Sequence, residues 1–462
     1  MSIYSQPSTL PLLRGGSVSL EDALIGDDNV LHRLDYPKKQ EEFWSYLVSR
    51  KSDIEAIVRF HLRAKHCQVA DESQWLHGSY NVCISLYTST DRWMIESSFG
   101  SPCLTRLAKR TILETSTRNF AAKWRRTSGS ANTALPFPFL LCMLLPFPMD
   151  KPNGRLLSDT WQMHLDDKER RKTLFHDIAR IMISINRIHL PCIGSLILDD
   201  HGFVHSTNRP LTLRLQTLEN EGVPIIPRHS TYRSIEPYIL DILQCHDNRI
   251  HYQPNAIHTT NDGEQQQAAL TMMRGLLPQF VSREYRGGPF VLTLTDLHPS
   301  NIFVDENWNI TSLIDLEWAC SFPIEMQTPP YWLTGRPIDD IEHGEHLQAF
   351  ENVINEFIDA FEAQETNISH SKTSFQANIL RKCWDRGSFW YFQAVHSPKG
   401  MLRVFIEHIQ RRYCEDHCTQ RVFDHTVSPY WCIGAAGLIE KKLAEEVEYK
   451  DRLRKRFAVG RE

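Results

Sequence analysis

Asp296, Asn301 and Asp315 fall in one short stretch, "LTDLHPSNIFVDENWNITSLIDLEWA", which runs from Leu294 to Ala319. Two carboxylates and a carboxamide are hard oxygen donors. That set suits Mg²⁺, which is usually held by one or two carboxylates together with substrate phosphates. Asp and Asn also cap and turn loops through bonds to nearby backbone, so each residue alone reads as a loop residue. The chain between them argues for chemistry. Ile302, Phe303 and Val304 favour a strand, Asp305, Glu306 and Asn307 have turn composition, and residues 310–314 favour a second strand. A hairpin of that length returns the chain on itself and brings Asp315 near Asn301. Asp296 stands just before it, on an irregular segment stiffened by Pro299.

An Asp-x-x-x-x-Asn loop followed by a further Asp is the arrangement of phosphoryl-transfer enzymes of the kinase type. In that arrangement the first Asp orients the acceptor hydroxyl and takes its proton, and the Asn and second Asp hold metal on the nucleotide phosphates. A protein kinase is the weaker version of this reading, because the sequence has no Asp-Phe-Gly and no Ala-Pro-Glu frame.

The elements that must position these residues come in a definite order. Residues 1–35 are polar and turn-rich and read as a loose arm, and apolar spacing over residues 41–65 predicts helices. Val82, Ile84 and Leu86 alternate, and a second short run at residues 93–95 follows a polar turn, which predicts two antiparallel strands. Residues 106–126 are basic and helix-compatible. Residues 166–188 carry Leu174, Ile178, Ile181, Met182 and Ile185 on one helical face. Residues 236–243 and 265–277 read as further helices, "NRPLTLRLQTLENEG" as strand or helix, and the chain after Asp339 as mostly helical. The expected class is therefore α+β, with a small strand-containing part followed by a larger helical part.

Bulk properties set limits. With 462 residues, 41% hydrophobic and 23% charged, the chain has ample material for a large core and is not a candidate for wholesale disorder. A net charge of −5 gives no support to nucleic-acid binding or to a membrane-surface role. The most apolar run, residues 134–149, is too short to span a bilayer and contains four prolines. Eleven scattered cysteines and an N-terminus without a charged region ahead of an apolar stretch point to reduced thiols and a cytoplasmic setting. Cys414, His417, Cys418 and His425 raise the question of zinc, but their spacing fits an ordinary helix better than paired ligand loops.

The stretch "LTLTDLHPSNIFVDENWNITSLIDLEWA" resembles the catalytic core of the aminoglycoside-phosphotransferase-like kinases, in the branch found in fungi. "SLILDDHGFVHSTNRPLTLRLQTLENEGVPIIP", "HDNRIHYQPNAI" and "PIEMQTPPYWLTG" resemble other blocks of the same branch, so the likeness runs from about residue 158 to 335. It implies a protein-kinase-like, two-lobed α+β fold with a small β-rich lobe and a larger helical lobe. The expected organisation is an N-terminal arm at 1–40, a partly degenerate small lobe at 41–145, a large lobe at 146–338 and a helical extension packing on it at 339–462. The implied cofactors are ATP and Mg²⁺, and the implied partner is a small-molecule hydroxyl acceptor. By the same resemblance Asp296 is the catalytic residue, Asn301 and Asp315 are metal ligands, and His298 and Glu317 support the loop. Gly78 and Ser79 belong to the loop over the phosphates, and Met143 and Leu144 to the adenine-facing hinge.

The sequence departs from the family pattern in two places. Leu294-Thr295 stands where the family often has His-Gly. The strand that commonly ends in a phosphate-pairing cation has Glu96 near that position, with Arg92 or a residue of 106–126 as the replacement and Glu114 as a possible helix partner. The second reading is accordingly a pseudokinase or binding module that keeps the large lobe without productive nucleotide handling. The acidic residues Asp339, Asp340 and Glu342 are candidates for meeting a cationic acceptor.

Overall fold

The structure, a computed structural model, describes residues 9–13, 16–62, 65–77, 81–88, 92–98, 148–150, 154–198, 204–316, 318–369, 374–413 and 419–459. Gly78, Ser79, Met143, Leu144, Glu317, Glu114 and the basic segment 106–126 lie outside these residues, as do Cys414, His417 and Cys418.

The first sheet is antiparallel. The strands Cys67–Val69, Asn81–Thr88, Arg92–Ser98 and Pro148–Asp150 follow one another across it, and Leu76–His77 also pairs with Asn81–Thr88. Alternation explains the central strand: Val82, Ile84 and Leu86 are buried against Leu47, Val58, Val69 and Trp75. Leu47 and Val58 come from the helices Tyr36–Ser49 and Lys51–Leu62, which lie on this sheet. Glu96 stands opposite Cys83 in mid-strand.

A second and larger core begins at Leu157 and takes residues from most later elements through Ile439. The helix Lys168–Ile185 supplies Leu174, Phe175 and Ile178, and the helix Glu345–Ser369 supplies Phe350, Phe357 and Phe361. The boundary expected at residue 338 therefore falls inside one continuous apolar core. The segment read as strand or helix is the helix Leu213–Asn220, with Thr212 capping the backbone N–H of Leu215 at 3.2 Å. Strands and helices are thus largely segregated, an α+β arrangement. No helix among the described residues is long and apolar enough to cross a membrane.

The N-terminal residues are not a loose arm from residue 20 on. The helices Leu20–Ile25 and Val30–Arg33 bury Ala23 and Val30 against Tyr449, Leu453 and Phe457 of the last helix, Ala435–Val459. Leu34, Leu20, Leu24 and Leu31 join the same cluster, and buried amides add polar contacts to it. Asn255 Nδ2 donates to the Gly26 carbonyl at 3.1 Å and the Asp28 carbonyl at 2.9 Å, and Gln253 Nε2 donates to the Asp27 carbonyl at 2.7 Å. These amides belong to the "HDNRIHYQPNAI" block, whose Gln253 and Asn255 are buried here for a structural reason.

His258 closes the junction, with Nε2 at 3.1 Å from Asp27 Oδ1 and Nδ1 at 2.5 Å from Glu446 Oε1. The bond to Asp27 and the Glu446 carboxylate outweigh burial and push the imidazole up to about 9. A raised imidazole stabilises the fold fully below its unfolded value of about 6.5 and loses that contribution as pH rises through the folded value. His258→Gln should therefore lower the melting temperature at pH 6 and make little difference above pH 9. An equal deficit at both pH values, measured by differential scanning calorimetry, would show that the imidazolium is not what holds the arm.

Candidate functional site

The hairpin expected around Asn301 is present. Ile302–Val304 pairs antiparallel with Ile310–Leu313, with Ile302 opposite Leu313. Asp305 organises the turn: its Oδ1 accepts from the backbone N–H groups of Asn307 and Asn309, both at 2.9 Å. Arg155–Leu156 adds an edge strand beside it. Gly154 precedes that edge at φ +100°, where a Cβ would stand 2.3 Å from the Val304 carbonyl oxygen, so glycine is required. Asp296 arrives on the other side, one residue past Thr295, whose N–H and hydroxyl both donate to the Trp318 carbonyl at 2.8 Å. Thr295 continues the pairing of Phe290–Leu294 with Ala319–Pro323.

These elements bring Asp296 and Asn301 into contact. Asn301 is 5% exposed, and its Nδ2 donates to the Asp296 carbonyl at 2.9 Å and to Asp296 Oδ2 at 3.1 Å. The backbone holds Asn301 in place, with its own N–H bonded to the His298 carbonyl at 2.8 Å and its carbonyl accepting from Ile314 at 3.0 Å. With both amide protons directed at Asp296, Asn301 Oδ1 accepts no bond among the described residues. His298 Nε2 lies 3.6 Å from Asp296 Oδ1, and its Nδ1 faces the Ser300 hydroxyl at 2.8 Å. His298 Nδ1 thereby caps the short turn at Ser300, and its Nε2 stands beside the Asp296 carboxylate.

Asp315 follows Ile314 directly and adopts φ +56°. Trp308, in the hairpin turn, is at φ +64°, and among the described residues these two alone combine a positive φ with a side chain. Each such conformation costs on the order of 1–3 kcal/mol and persists only where surroundings impose it. For Trp308 the surroundings are visible. It stacks on Trp161 at 5.2 Å between ring centroids and donates from Nε1 to Thr160 at 3.2 Å. Trp161 in turn meets Trp332 edge-on at 5.2 Å, and Trp332 Nε1 donates to the Leu297 carbonyl at 2.8 Å. Three tryptophans thus run from the hairpin turn to the residue after Asp296.

Electrostatics at Asp296 are divided. Burial pushes its carboxyl above the ordinary carboxylate range, the His298 imidazole and the Asn301 amide pull it back, the Asp315 charge raises it and the Arg214 guanidinium lowers it. Asp296 and Asp315 are therefore near enough to repel each other.

No family model matches the sequence, and no curated protein matches it. Among solved structures the chain is similar to an ethanolamine kinase of Plasmodium vivax, at 12% identity and a TM-score of 0.30, covering 81% of this chain and 84% of that one. It is also similar to a spectinomycin phosphotransferase solved with ADP and spectinomycin, at 10% identity and a TM-score of 0.30, covering 86% of this chain and 98% of that one.

Asp296, Leu297 and His298 form one wall of a cleft of about 370 Å³. Its other walls come from the helix Lys168–Ile185 (Ile181, Met182, Ile185), from Thr212 to Arg214, and from residues 326–331 with Gln393 and His396. The acidic residues proposed to greet a cation are elsewhere among the described contacts: Glu342 pairs with Arg403, and Asp339 packs beside Gly400. Sequence reading singled out neither Arg214 nor Tyr331. The signal available was their presence in two of the quoted blocks, "NRPLTLRLQTLENEG" and "PIEMQTPPYWLTG". The remaining His425 pairs with Glu264 at 3.1 Å, and among the described residues no group of three His, Cys, Asp or Glu side chains could hold a metal.

The Asn301 amide is the component that a single atom exchange tests. Asn301→Asp places a second carboxylate against Asp296 and leaves the Asp296 carbonyl without its donor. Two carboxylates at that distance share a proton, so the pair's upper titration rises. The folded state then binds a proton that the unfolded chain releases, and stability falls as pH rises. The expected loss is about 1–3 kcal/mol at pH 8, shrinking toward pH 5. Urea unfolding at both pH values measures it, and a loss independent of pH would place Asn301 outside the carboxylate's environment.

Proposed function

We propose that the chain is a two-lobed, kinase-like phosphotransferase that moves the γ-phosphoryl group of ATP to a hydroxyl of a small molecule. The observation that carries this reading is the Asp296 carboxylate, fixed through Oδ2 by the Asn301 amide and set in the wall of a cleft of small-molecule size. A base locked by its neighbour and presented to a pocket is what in-line transfer to an alcohol requires.

In this mechanism the acceptor enters the cleft and its hydroxyl donates to Asp296. As the hydroxyl oxygen forms its bond to the γ-phosphorus, the bond from that phosphorus to the β,γ-bridging oxygen breaks. The hydroxyl proton passes to the Asp296 carboxylate, and ADP leaves with the bridging oxygen. Burial and the Asp315 charge both raise the Asp296 carboxyl, which makes it a better proton acceptor than a free aspartate. His298 and Asn301 keep it oriented.

The residues fit a Mg²⁺ ion. Asn301 Oδ1 takes no other bond among the described residues, and Asp315 supplies a carboxylate at the hairpin's end. These are two hard oxygens, and water and nucleotide phosphate would complete the shell. When bound, the ion would neutralise the charge that develops on the phosphates. Asp315 is held in the left-handed region beside Asn301, as a ligand placed at some cost to the backbone would be.

Asp296→Asn removes the base and keeps the shape and the Asn301 contact. We expect kcat for transfer to fall by roughly 10²- to 10⁴-fold, with the melting temperature unchanged or raised and Mg²⁺-dependent ATP binding retained. Calorimetric titration with ATP and Mg²⁺ accompanies the assay. Absence of ATP binding in the parent protein would favour the pseudokinase reading, and an Asp296→Asn enzyme as fast as the parent would remove the role assigned to Asp296.

A further inference from the structure

Arg214 is the one formally positive residue on the described wall of the cleft that holds Asp296. It stands in the first turn of the helix Leu213–Asn220 and is half-buried. One side of its guanidinium is committed: Nη1 donates to the His396 carbonyl at 2.8 Å and to the Ser397 hydroxyl. Its Cζ lies over the Tyr331 ring, 5.6 Å from the centroid. The remaining donors, Nε and Nη2, share the other edge of the plane and bond nothing among the described residues. Arg214 likewise makes no ion pair among them. A half-buried guanidinium, held on one edge and set over a ring, thus presents a two-donor fork without a partner among the described residues beside a cavity. That fork matches a carboxylate, which accepts two parallel N–H bonds.

The rest of the wall agrees. Among the described lining residues Asp296 is the single carboxylate, and Asn301 and His298 already engage it. An ammonium group in the cleft would need other carboxylates or an open aromatic face. The Tyr331 face is covered by Arg214 itself, and the Phe322 ring packs against Tyr238 and His396. His396 carries no compensating charge, since burial among Arg214 and His246 holds it down to about 3. The lining is otherwise aliphatic or neutral and hydrogen-bonding, with Gln327, Thr328 and Gln393 among the latter.

We infer that the cleft takes an anionic hydroxyl compound, a hydroxy carboxylate with a largely apolar body, whose carboxylate docks on the Nε–Nη2 edge of Arg214 while its hydroxyl lies toward Asp296. As an acceptor assignment this rests on the phosphotransferase reading, and as a binding site it stands on Arg214 and the cleft alone.

The test separates the two. A panel of aromatic and aliphatic hydroxy carboxylates is compared with the corresponding hydroxy amides and hydroxy amines, using ligand-observed NMR and thermal shift without nucleotide. Carboxylates should bind, their amides only weakly, and the amines not at all. Arg214→Met should weaken carboxylate binding roughly 10- to 100-fold and leave the weak amide signal unchanged. Arg214→Lys, which keeps the charge and loses the fork, should recover only part of the affinity. If Arg214→Met melts early because the His396 carbonyl loses its donor, Arg214→Gln retains one donor and carries the comparison. Preference for amines, binding that ignores Arg214, or a panel without a binder would each overturn the inference. Carboxylate binding without phosphoryl transfer would leave this site standing and sink the phosphotransferase reading. Transfer to amine-bearing acceptors would do the reverse.

Discussion

The Asn301 carboxamide donates at once to the carbonyl and the carboxylate of Asp296, and the site's geometry depends on where that amide is held. A buried amide with two committed protons has little freedom to turn. Its position is set by the backbone on both sides: the His298 carbonyl receives its N–H, and its carbonyl receives the N–H of Ile314 at the far end of the hairpin. Through that second bond the start and finish of the hairpin become one rigid object. Asp296, Asn301 and Asp315 therefore cannot move independently, although they are spread over two loops.

The hairpin is in turn held by the large core. Trp308 occupies a left-handed conformation that a bulky residue avoids, and it is buried, stacked on Trp161 and bonded to Thr160. Trp332 completes the path by bonding the Leu297 carbonyl, next to Asp296. Stacking of large rings in a close-packed interior resists small displacements. The energy of core packing is thus converted into the position of a loop that would otherwise be free. The left-handed turn at Asp315 sits on the same framework, at the point where the second hairpin strand ends.

Much of this was legible in the sequence, because the signals were local. The alternation of Val82, Ile84 and Leu86, the helical face of residues 166–188 and the turn composition at Asp305 each depend on neighbours within a few residues. Asp296 and Asn301 pair for the same reason: a five-residue spacing and a hairpin are short-range facts. What escaped the reading is long-range. The arm at residues 20–34 looked loose because its partners, Asn255, His258 and Tyr449, lie more than two hundred positions away. Arg214 and Tyr331 carry no motif, and a lone arginine on a helix reads as a solvated charge until His396 and Ser397 arrive from another part of the chain to pin it. Trp161, Trp308 and Trp332 carry no local signal in the sequence that they brace the loop, because their contacts span distant segments.

On the anionic-ligand proposal, Arg214 would link two properties that are usually treated apart, the class of ligand and the strength of the base. Its charge lowers the Asp296 carboxyl while burial and Asp315 raise it. An anion seated on the free edge of the guanidinium would cancel part of that pull, so the Asp296 titration would move upward when such a ligand binds. A neutral amide of the same shape would leave it where it was, which an NMR titration of the Asp296 carboxyl distinguishes directly. If the chain transfers phosphoryl groups, an anionic acceptor would strengthen further a base that burial already raises. A cationic ligand would have the opposite effect, depressing the carboxyl further and meeting a like charge across the cavity. Selection of the ligand and readiness of the base would then follow from one immobilised guanidinium, set where the helix after Thr212 meets the loop that carries Tyr331.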